Sequence, residues 1–156
     1  MKKEGAVLTA RILTELKEIS ILVGRIEQGW RKAKKRGDDF YLDSVALNLH
    51  GFYSGLERIF EKIAASVDGS VPEGANWHKE LLNQMSMDIA GIRPAVISSD
   101  LKNKLEEYRG FRHVVRNVYT YHLSPEKIEP LVDYVQEVFS NSEKELSAFA
   151  EFLQSD

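Results

Sequence analysis

The 156-residue sequence contains no cysteine, so disulfide bonds and thiolate chemistry are excluded, and a reducing compartment suits the chain. It has no uninterrupted apolar stretch near the roughly 18 residues that a membrane span needs, and charged residues interrupt the segment where a signal peptide would be apolar. We therefore expect a cytoplasmic protein without a membrane partner. The formal net charge of −3 excludes a generally basic nucleic-acid coat protein, so any contact with RNA or nucleotide must be local.

Several motifs of enzymes are missing as well. The sequence has neither a glycine-rich phosphate-binding motif nor a nucleophile elbow, which argues against P-loop nucleotide hydrolases and triad hydrolases. The four histidines, His50, His78, His113 and His122, form no pair at the close spacing that is typical of metal sites. We therefore predict neither a metal nor a cofactor, and we interpret His50 as a partly buried core residue.

Hydrophobic residues recur at steps of three and four along most of the chain, a pattern that predicts amphipathic helices. The predicted helices cover residues 6–35, 39–67, 76–87, 100–122 and 125–153. The hydrophobic content of 43% is sufficient for a core, and no strand-like alternation or internal repeat interrupts the pattern. We predict a single all-α domain over residues 1–156, folded as an antiparallel bundle of about five helices.

Two features of the first two predicted helices bear on partners. The basic run 31–36 ends the first helix, where cations complement the helix dipole, and we prefer this explanation to nucleic-acid binding. Gly51 and Gly55 lie one turn apart in the second helix, where each glycine costs about 1 kcal/mol relative to alanine. Close approach of another helix, within the chain or at a dimer seam, would explain them, and so would a tolerated accident.

The fourth predicted helix gathers positive charge on one side. Arg112, Arg116 and Tyr119 follow at i, i+4 and i+7, and Arg109 extends the same face. A guanidinium offers a planar fork of donors that keeps its charge near neutral pH, so this face is suited to a phosphate group. The alternative is that the arginines are solvated or pair with carboxylates such as Glu106.

Four segments of the chain resemble, in the same order, the HepT-like proteins of the HEPN superfamily, which are small helical proteins usually described as toxin ribonucleases. The resemblance is most specific in Phe111–Tyr119, and it also covers Gly51–Ala64, Trp77–Leu82 and Ile92–Ser98. It implies an all-helical fold and a homodimer in which Arg and His act at a cleft shared by two subunits. In that cleft, without a metal, they would help the ribose 2′-oxygen of RNA attack its neighbouring phosphate.

The signature of this family is an Arg, four intervening residues, a His, one residue and a Tyr. Laid on this sequence, the Arg is Arg112, the Tyr is Tyr119, and the His position is occupied by Asn117. An amide can orient a phosphate or a water but cannot act as acid or base at pH 7, and losing such a group costs about a hundred- to ten-thousandfold in rate. Arg116 would assist by stabilising charge. A second alignment pairs Arg116 with His122, provided that the helix ends before His122.

The resemblance also implies a partner. In such pairs a nucleotidyltransferase acts as antitoxin by transferring AMP to the tyrosine beside the site, here Tyr119, which would carry negative charge into the arginine face. The alternative is that Tyr119 only packs, as we expect for Tyr121. One hypothesis is therefore a metal-independent endoribonuclease toxin with RNA as substrate, in which Arg112, Arg116 and Asn117 act. The other is a catalytically inactive module that docks a nucleotidyltransferase and binds nucleotide or RNA.

Overall fold

Five α-helices make up the described part of the computed structural model, which covers residues 2–119 and 122–155. They are α1 (Lys2–Arg36), α2 (Asp39–Ile63), α3 (Trp77–Met85), α4 (Ser99–Asn117) and α5 (Pro125–Gln154), and a π-helical turn (Ala64–Asp68) extends α2. The prediction of an all-α bundle of about five helices is confirmed. Within the described ranges, no helix is both long and apolar enough to cross a membrane.

Local sequence signals set several helix ends. α1 gives way to Gly37, whose φ of 61° is in the left-handed region that favours glycine. The side chains of Asp38 and Ser98 accept hydrogen bonds from N–H groups in the first turns of α2 and α4, and thereby satisfy donors that have no partner within the helix. α5 begins at Pro125, which is compatible with the first turn because that position needs no N–H donor.

The core lies where α1, α4 and α5 pack around α2. Along α2, the fully buried large residues are Leu49, Phe52, Tyr53, Leu56, Ile59, Phe60 and Ile63. The two glycines of α2 let α1 approach closely: a Cβ at Gly55 would lie 2.8 Å from Cγ1 of Ile19, and one at Gly51 would lie 3.2 Å from Cδ1 of Leu22. Of the explanations that we considered for these glycines, packing between helices of one chain is the one that the structure supports.

A buried arginine holds the loop between α3 and α4. The guanidinium of Arg93 donates to both carboxylate oxygens of Asp68, at 2.6 and 2.8 Å. It also donates to the backbone carbonyl oxygens of Gln84, Met87 and Pro94, at 3.2, 2.9 and 3.0 Å. Because Asp68 ends the π-helical turn after α2, this network ties the end of α2 to the chain that follows α3, and so determines where α3 lies.

α4 ends at Asn117, before the predicted end at residue 122, so that prediction is wrong. The next residue, Val118, has extended backbone angles (φ −132°, ψ 156°) and is 40% exposed. The β-branched residues Val114, Val115 and Val118 and the asparagine all have low helix propensity, which hydrophobic spacing does not reveal. Residues 120 and 121 lie outside the described ranges, and the expectation that Tyr121 packs lies there with them.

Candidate functional site

A polar stripe runs along the side of α2 that meets α3 and α4. His50, Ser54 and Glu57 follow at i, i+4 and i+7, so they lie one above another on a single helix face. Glu57 is only 3% exposed, although most of the buried residues of α2 are apolar. A carboxylate this deeply buried needs partners for its charge.

Arg112 of α4 is one of these partners. Its Nε donates to Oγ of Ser54 at 3.0 Å, and its Nη2 lies 3.9 Å from Oε1 of Glu57. The side chain of Arg112 is 17% exposed. The guanidinium is therefore turned towards α2 while part of it still reaches solvent.

His78, near the beginning of α3, is the other partner of Glu57. Its Nδ1 lies 2.8 Å from Oε2 of Glu57, and the imidazole stacks on the ring of Trp77 with 3.6 Å between ring centroids. We assign the hydrogen of this contact to Nδ1 of His78, because an ionised carboxylate can only accept. Nε2 is then the nitrogen that can accept a proton. The side chain of His78 is 22% exposed.

The five residues described so far, His50, Ser54, Glu57, His78 and Arg112, form what we name the α2–α4 cluster. A guanidinium has five N–H donors. Nη1 of Arg112 lies 3.4 Å from Nδ1 of His78, but that nitrogen cannot accept because it donates to Glu57. Among the described residues, only the Nε–H of Arg112 therefore has a hydrogen-bond acceptor, and its remaining donors are available to a ligand.

The charges of the cluster act on His50, which is one of its members, and on Tyr53. Burial lowers the pKa of His50, and the positive charges of Arg112 and Arg116 lower it further. His50 is half-buried, as predicted, and the lowered pKa means that its surroundings favour the neutral imidazole. Tyr53 is fully buried, and within the described ranges its hydroxyl has no hydrogen-bond partner. Burial raises the pKa of Tyr53, and the charge of Glu57 adds to this, so the hydroxyl keeps its proton.

The three arginines of α4 do not form one continuous phosphate-binding face. Arg109 pairs with Glu106 at 2.7 Å, which is the carboxylate pairing that we considered as an alternative. Arg116 is exposed, and none of the carboxylates in the described part of the chain forms an ion pair with it. Arg112 alone reaches into the α2–α4 cluster.

Asn117 lies apart from this cluster. It is exposed at the last position of α4, and its amide Nδ2 donates to the backbone carbonyl oxygen of His113 at 2.7 Å. The amide therefore makes a hydrogen bond within its own helix. Asparagine side chains often compete with backbone donors in this way. Among the described residues, the structure shows no hydrogen bond between Asn117 and Arg112.

Residues 44–153 match the family model described as HepT-like protein. The match covers more than half of the chain and includes every member of the α2–α4 cluster. The chain belongs to the HepT-like family of the HEPN superfamily. The resemblance noted in the sequence is thereby confirmed. No curated protein and no solved structure matches the chain.

In this HepT-like chain, the tyrosine of the family signature does not lie on α4. Tyr119 follows the helix end and is 71% exposed, so the prediction that it continues the arginine face at i+7 is wrong. Because Val118 is extended, the side chain of Tyr119 no longer follows the helical period. The ring of Tyr119 meets the ring of His122 edge-on, with 6.2 Å between centroids. α4 does end before His122, as the second alignment requires.

Four members of the α2–α4 cluster, His50, Ser54, Glu57 and His78, were not among the site residues predicted from the sequence. For Glu57 a signal existed, because a carboxylate stands at a position of α2 that the hydrophobic spacing assigns to the buried side. His78 offered no comparable signal, since its partner Glu57 is 21 residues away and the contact depends on how α3 docks. Within the described ranges, no group of three or more His, Asp and Glu side chains is placed to hold a metal ion.

Proposed function

We propose that this HepT-like protein is a metal-independent endoribonuclease that acts as the toxin of a toxin–antitoxin pair. One observation carries the proposal: the guanidinium of Arg112 has unused N–H donors and lies 3.4 Å from the imidazole of His78. Unused guanidinium donors bind phosphate, and an imidazole can move a proton near neutral pH. Cleavage of RNA through its own 2′-hydroxyl needs these two chemical functions.

In the proposed reaction, the ribose 2′-oxygen attacks the adjacent phosphorus. The O2′–P bond forms while the P–O5′ bond breaks, a base takes the proton of the 2′-hydroxyl, and the departing 5′-oxygen takes a proton from water. The products are a 2′,3′-cyclic phosphate and a 5′-hydroxyl. Arg112 stabilises the negative charge that accumulates on the phosphate oxygens, and the exposed Arg116 attracts the RNA backbone.

The test is cleavage of total tRNA by the purified protein in the presence of EDTA. We expect fragments that carry the two termini named above. The Arg112→Ala variant should cleave about 10²- to 10³-fold more slowly, because a donor to the developing charge is lost. Arg58→Ala is the matched control, since Arg58 is a more exposed arginine that pairs with Glu15 of α1. Absence of cleavage by the wild type, or undiminished cleavage by Arg112→Ala, would contradict the proposal.

The proposed partners are a second copy of the chain, as the family resemblance implies, and a nucleotidyltransferase that modifies Tyr119. The support for modification is the position of Tyr119, which is 71% exposed just after α4 and therefore accessible to an enzyme. Added phosphate would place negative charge near Arg116 and repel RNA. Incubation with the partner and ATP should add AMP to the wild type and leave Tyr119→Phe unmodified, as measured by mass spectrometry. Modification of Tyr119→Phe to the same extent would exclude this acceptor.

One observation favours a second candidate function, a catalytically inactive module that docks a nucleotidyltransferase and binds nucleotide or RNA. The His position of the family signature holds Asn117, whose amide binds the backbone of α4 and cannot transfer a proton. Binding of tRNA without cleavage by the wild type would support this candidate. The Asn117→His variant tests the position itself, because a gain of cleavage would show that the site lacked only a histidine at the end of α4.

A further inference from the structure

The family signature of this chain provides no group on α4 that can transfer a proton, because Asn117 stands at the His position. The α2–α4 cluster contains an imidazole from another helix that can. We propose that His78 of α3, oriented by Glu57 of α2, is the group that takes the proton of the 2′-hydroxyl. This inference rests on the proposed RNA cleavage and assigns its base.

The first argument is orientation. A histidine that acts as a base needs one nitrogen held by a third group, so that the other nitrogen presents its lone pair to the reacting hydroxyl. Oε2 of Glu57 lies 2.8 Å from Nδ1 of His78 and accepts its hydrogen. Glu57 is 3% exposed, so bulk water competes little for this contact. Within the described part of the chain, Nε2 of His78 makes no hydrogen bond.

The second argument is proximity to the phosphate-binding cation. Nη1 of Arg112 lies 3.4 Å from Nδ1 of His78, and Nη2 lies 3.9 Å from Glu57. A phosphate held by the unused donors of Arg112 would therefore lie beside the imidazole. Both side chains keep part of their surface open to solvent, 17% for Arg112 and 22% for His78, so a ligand can reach the two together.

The third argument is rigidity, which a catalytic group needs if it is to keep its geometry. The ring of Trp77 stacks on that of His78, with 31° between the planes. Leu81, Leu82 and Met85 bury the rest of α3 in the core. α3 is short, but these apolar contacts hold it against the core. The buried network of Arg93 fixes the chain that follows its C-terminal end.

The proton transfer balances without a metal or another co-reactant. Nε2 of His78 accepts the proton of the 2′-hydroxyl as the O2′–P bond forms and the P–O5′ bond breaks. The imidazolium that results is stabilised by the carboxylate of Glu57, which accepts the hydrogen of Nδ1. The departing 5′-oxygen takes a proton from water, and the imidazolium releases its own proton to solvent, which restores the starting state.

The other histidines are weaker candidates. His50 belongs to the cluster, but none of the carboxylates in the described ranges forms an ion pair with it, so nothing there fixes its tautomer. His113 is exposed on α4 and contacts Asn117. His122 follows the end of α4, where its ring packs against Tyr119. His78 combines a carboxylate partner with contact to Arg112.

The experiment compares single-turnover cleavage of tRNA, tRNA affinity and thermal unfolding for the wild type, His78→Gln, His50→Gln and His113→Gln. We expect His78→Gln to cleave about 10²- to 10⁴-fold more slowly with unchanged tRNA affinity, because only proton transfer is lost. His113→Gln is the matched control and should cleave like the wild type. A His78→Gly variant should regain cleavage when imidazole is added, whereas a purely structural defect would not respond to imidazole.

Glu57 is a positioning residue in this proposal and needs its own readout. The Glu57→Leu variant, which has no acceptor at this position, should lose turnover more than tRNA affinity, and nitrogen NMR should show that its His78 imidazole is no longer held in the Nδ1–H tautomer. Glu57→Asp should restore part of the turnover. An unchanged tautomer in Glu57→Leu would overturn the positioning role.

The outcomes separate this inference from the proposed function. Cleavage by the wild type that persists in His78→Gln overturns the role of His78 and leaves the ribonuclease proposal intact. Loss of cleavage in His50→Gln alone would assign the base to His50 instead. Absence of cleavage by a well-folded wild type overturns both the proposed function and the role of His78.

Discussion

Two arginines contact carboxylates near α3, and they are used in opposite ways. Arg93 makes five hydrogen bonds, two of them to Asp68, and its side chain is 0% exposed. Within the part of the chain that the structure describes, Arg112 makes one hydrogen bond, to Ser54, and its side chain is 17% exposed beside Glu57. The first arginine has no donor left for a ligand, whereas the second has several.

The difference distinguishes an arginine that supports the fold from one that is a candidate for ligand binding. A guanidinium with all five donors satisfied inside the protein contributes to stability and to the placement of its neighbours. One with unused donors at a partly open position is available to an anion. By this criterion Arg93 supports the site by fixing the chain after α3, and Arg112 belongs to the site itself.

The largest effect on stability should follow from breaking the network of Arg93. Replacing Arg93 by Leu leaves the carboxylate of Asp68 buried without its counter-charge, which costs about 3–5 kcal/mol in the free energy of unfolding. Urea denaturation measures this change. The double variant Arg93→Leu/Asp68→Leu is the control, and it should recover part of the loss because no unpaired charge remains. If the loss of unfolding free energy in Arg93→Leu were no larger than that expected for an exposed surface ion pair, the network of Arg93 would not differ from the α2–α4 cluster as we describe.

A change in the α2–α4 cluster should affect stability less than a change in the network of Arg93, and it should affect ligand binding more. The Arg112→Ala variant should lose about 1–2 kcal/mol of unfolding free energy, because the lost contacts are few and partly solvated. In the wild type, added inorganic phosphate should shift the NMR signal of the Arg112 Nε–H and leave that of Arg93 unchanged. Equal shifts at the two arginines, or none at either, would show that unused donors do not distinguish them.

A smaller gain in stability is expected from Tyr53→Phe. The hydroxyl of Tyr53 is buried near the α2–α4 cluster and has no hydrogen-bond partner within the described ranges. In the network of Arg93, by contrast, every donor of the guanidinium has an acceptor. Removing an unsatisfied buried hydroxyl should raise the free energy of unfolding by about 1 kcal/mol. A decrease in urea denaturation experiments would instead indicate that the hydroxyl is hydrogen-bonded in solution.

The smallest expected effect is on the pH dependence of folding stability. Burial, with the charges of Arg112 and Arg116, lowers the pKa of His50 in the folded state below the ordinary value of 6.5. The unfolded chain therefore binds more protons as the pH falls below 6.5, so this contribution to stability is complete above that pH and is lost below it. His50→Gln should make the pH dependence of the unfolding midpoint between pH 7 and 5 less steep. An identical profile in wild type and variant would exclude His50 as a cause.

Most of the fold could be predicted from the sequence, because amphipathic spacing and helix caps are local signals. The helix end that differs most from its prediction, at Asn117, lies in a β-branched segment where low helix propensity prevails over apolar periodicity. For the candidate site, the sequence singled out Arg112. It left open whether Arg109 pairs with Glu106, and it did not indicate that Tyr119 leaves the helix face.

The sequence by itself determined five amphipathic helices, the family of the chain, and the exchange of His for Asn117 in the family signature. These follow from residue types and from spacings within single segments. Only the tertiary structure decided that Arg112 meets Glu57 and His78, which come from two other helices. The physical reason is that such contacts depend on where α3 docks, and that position is set by buried interactions between residues far apart in the chain.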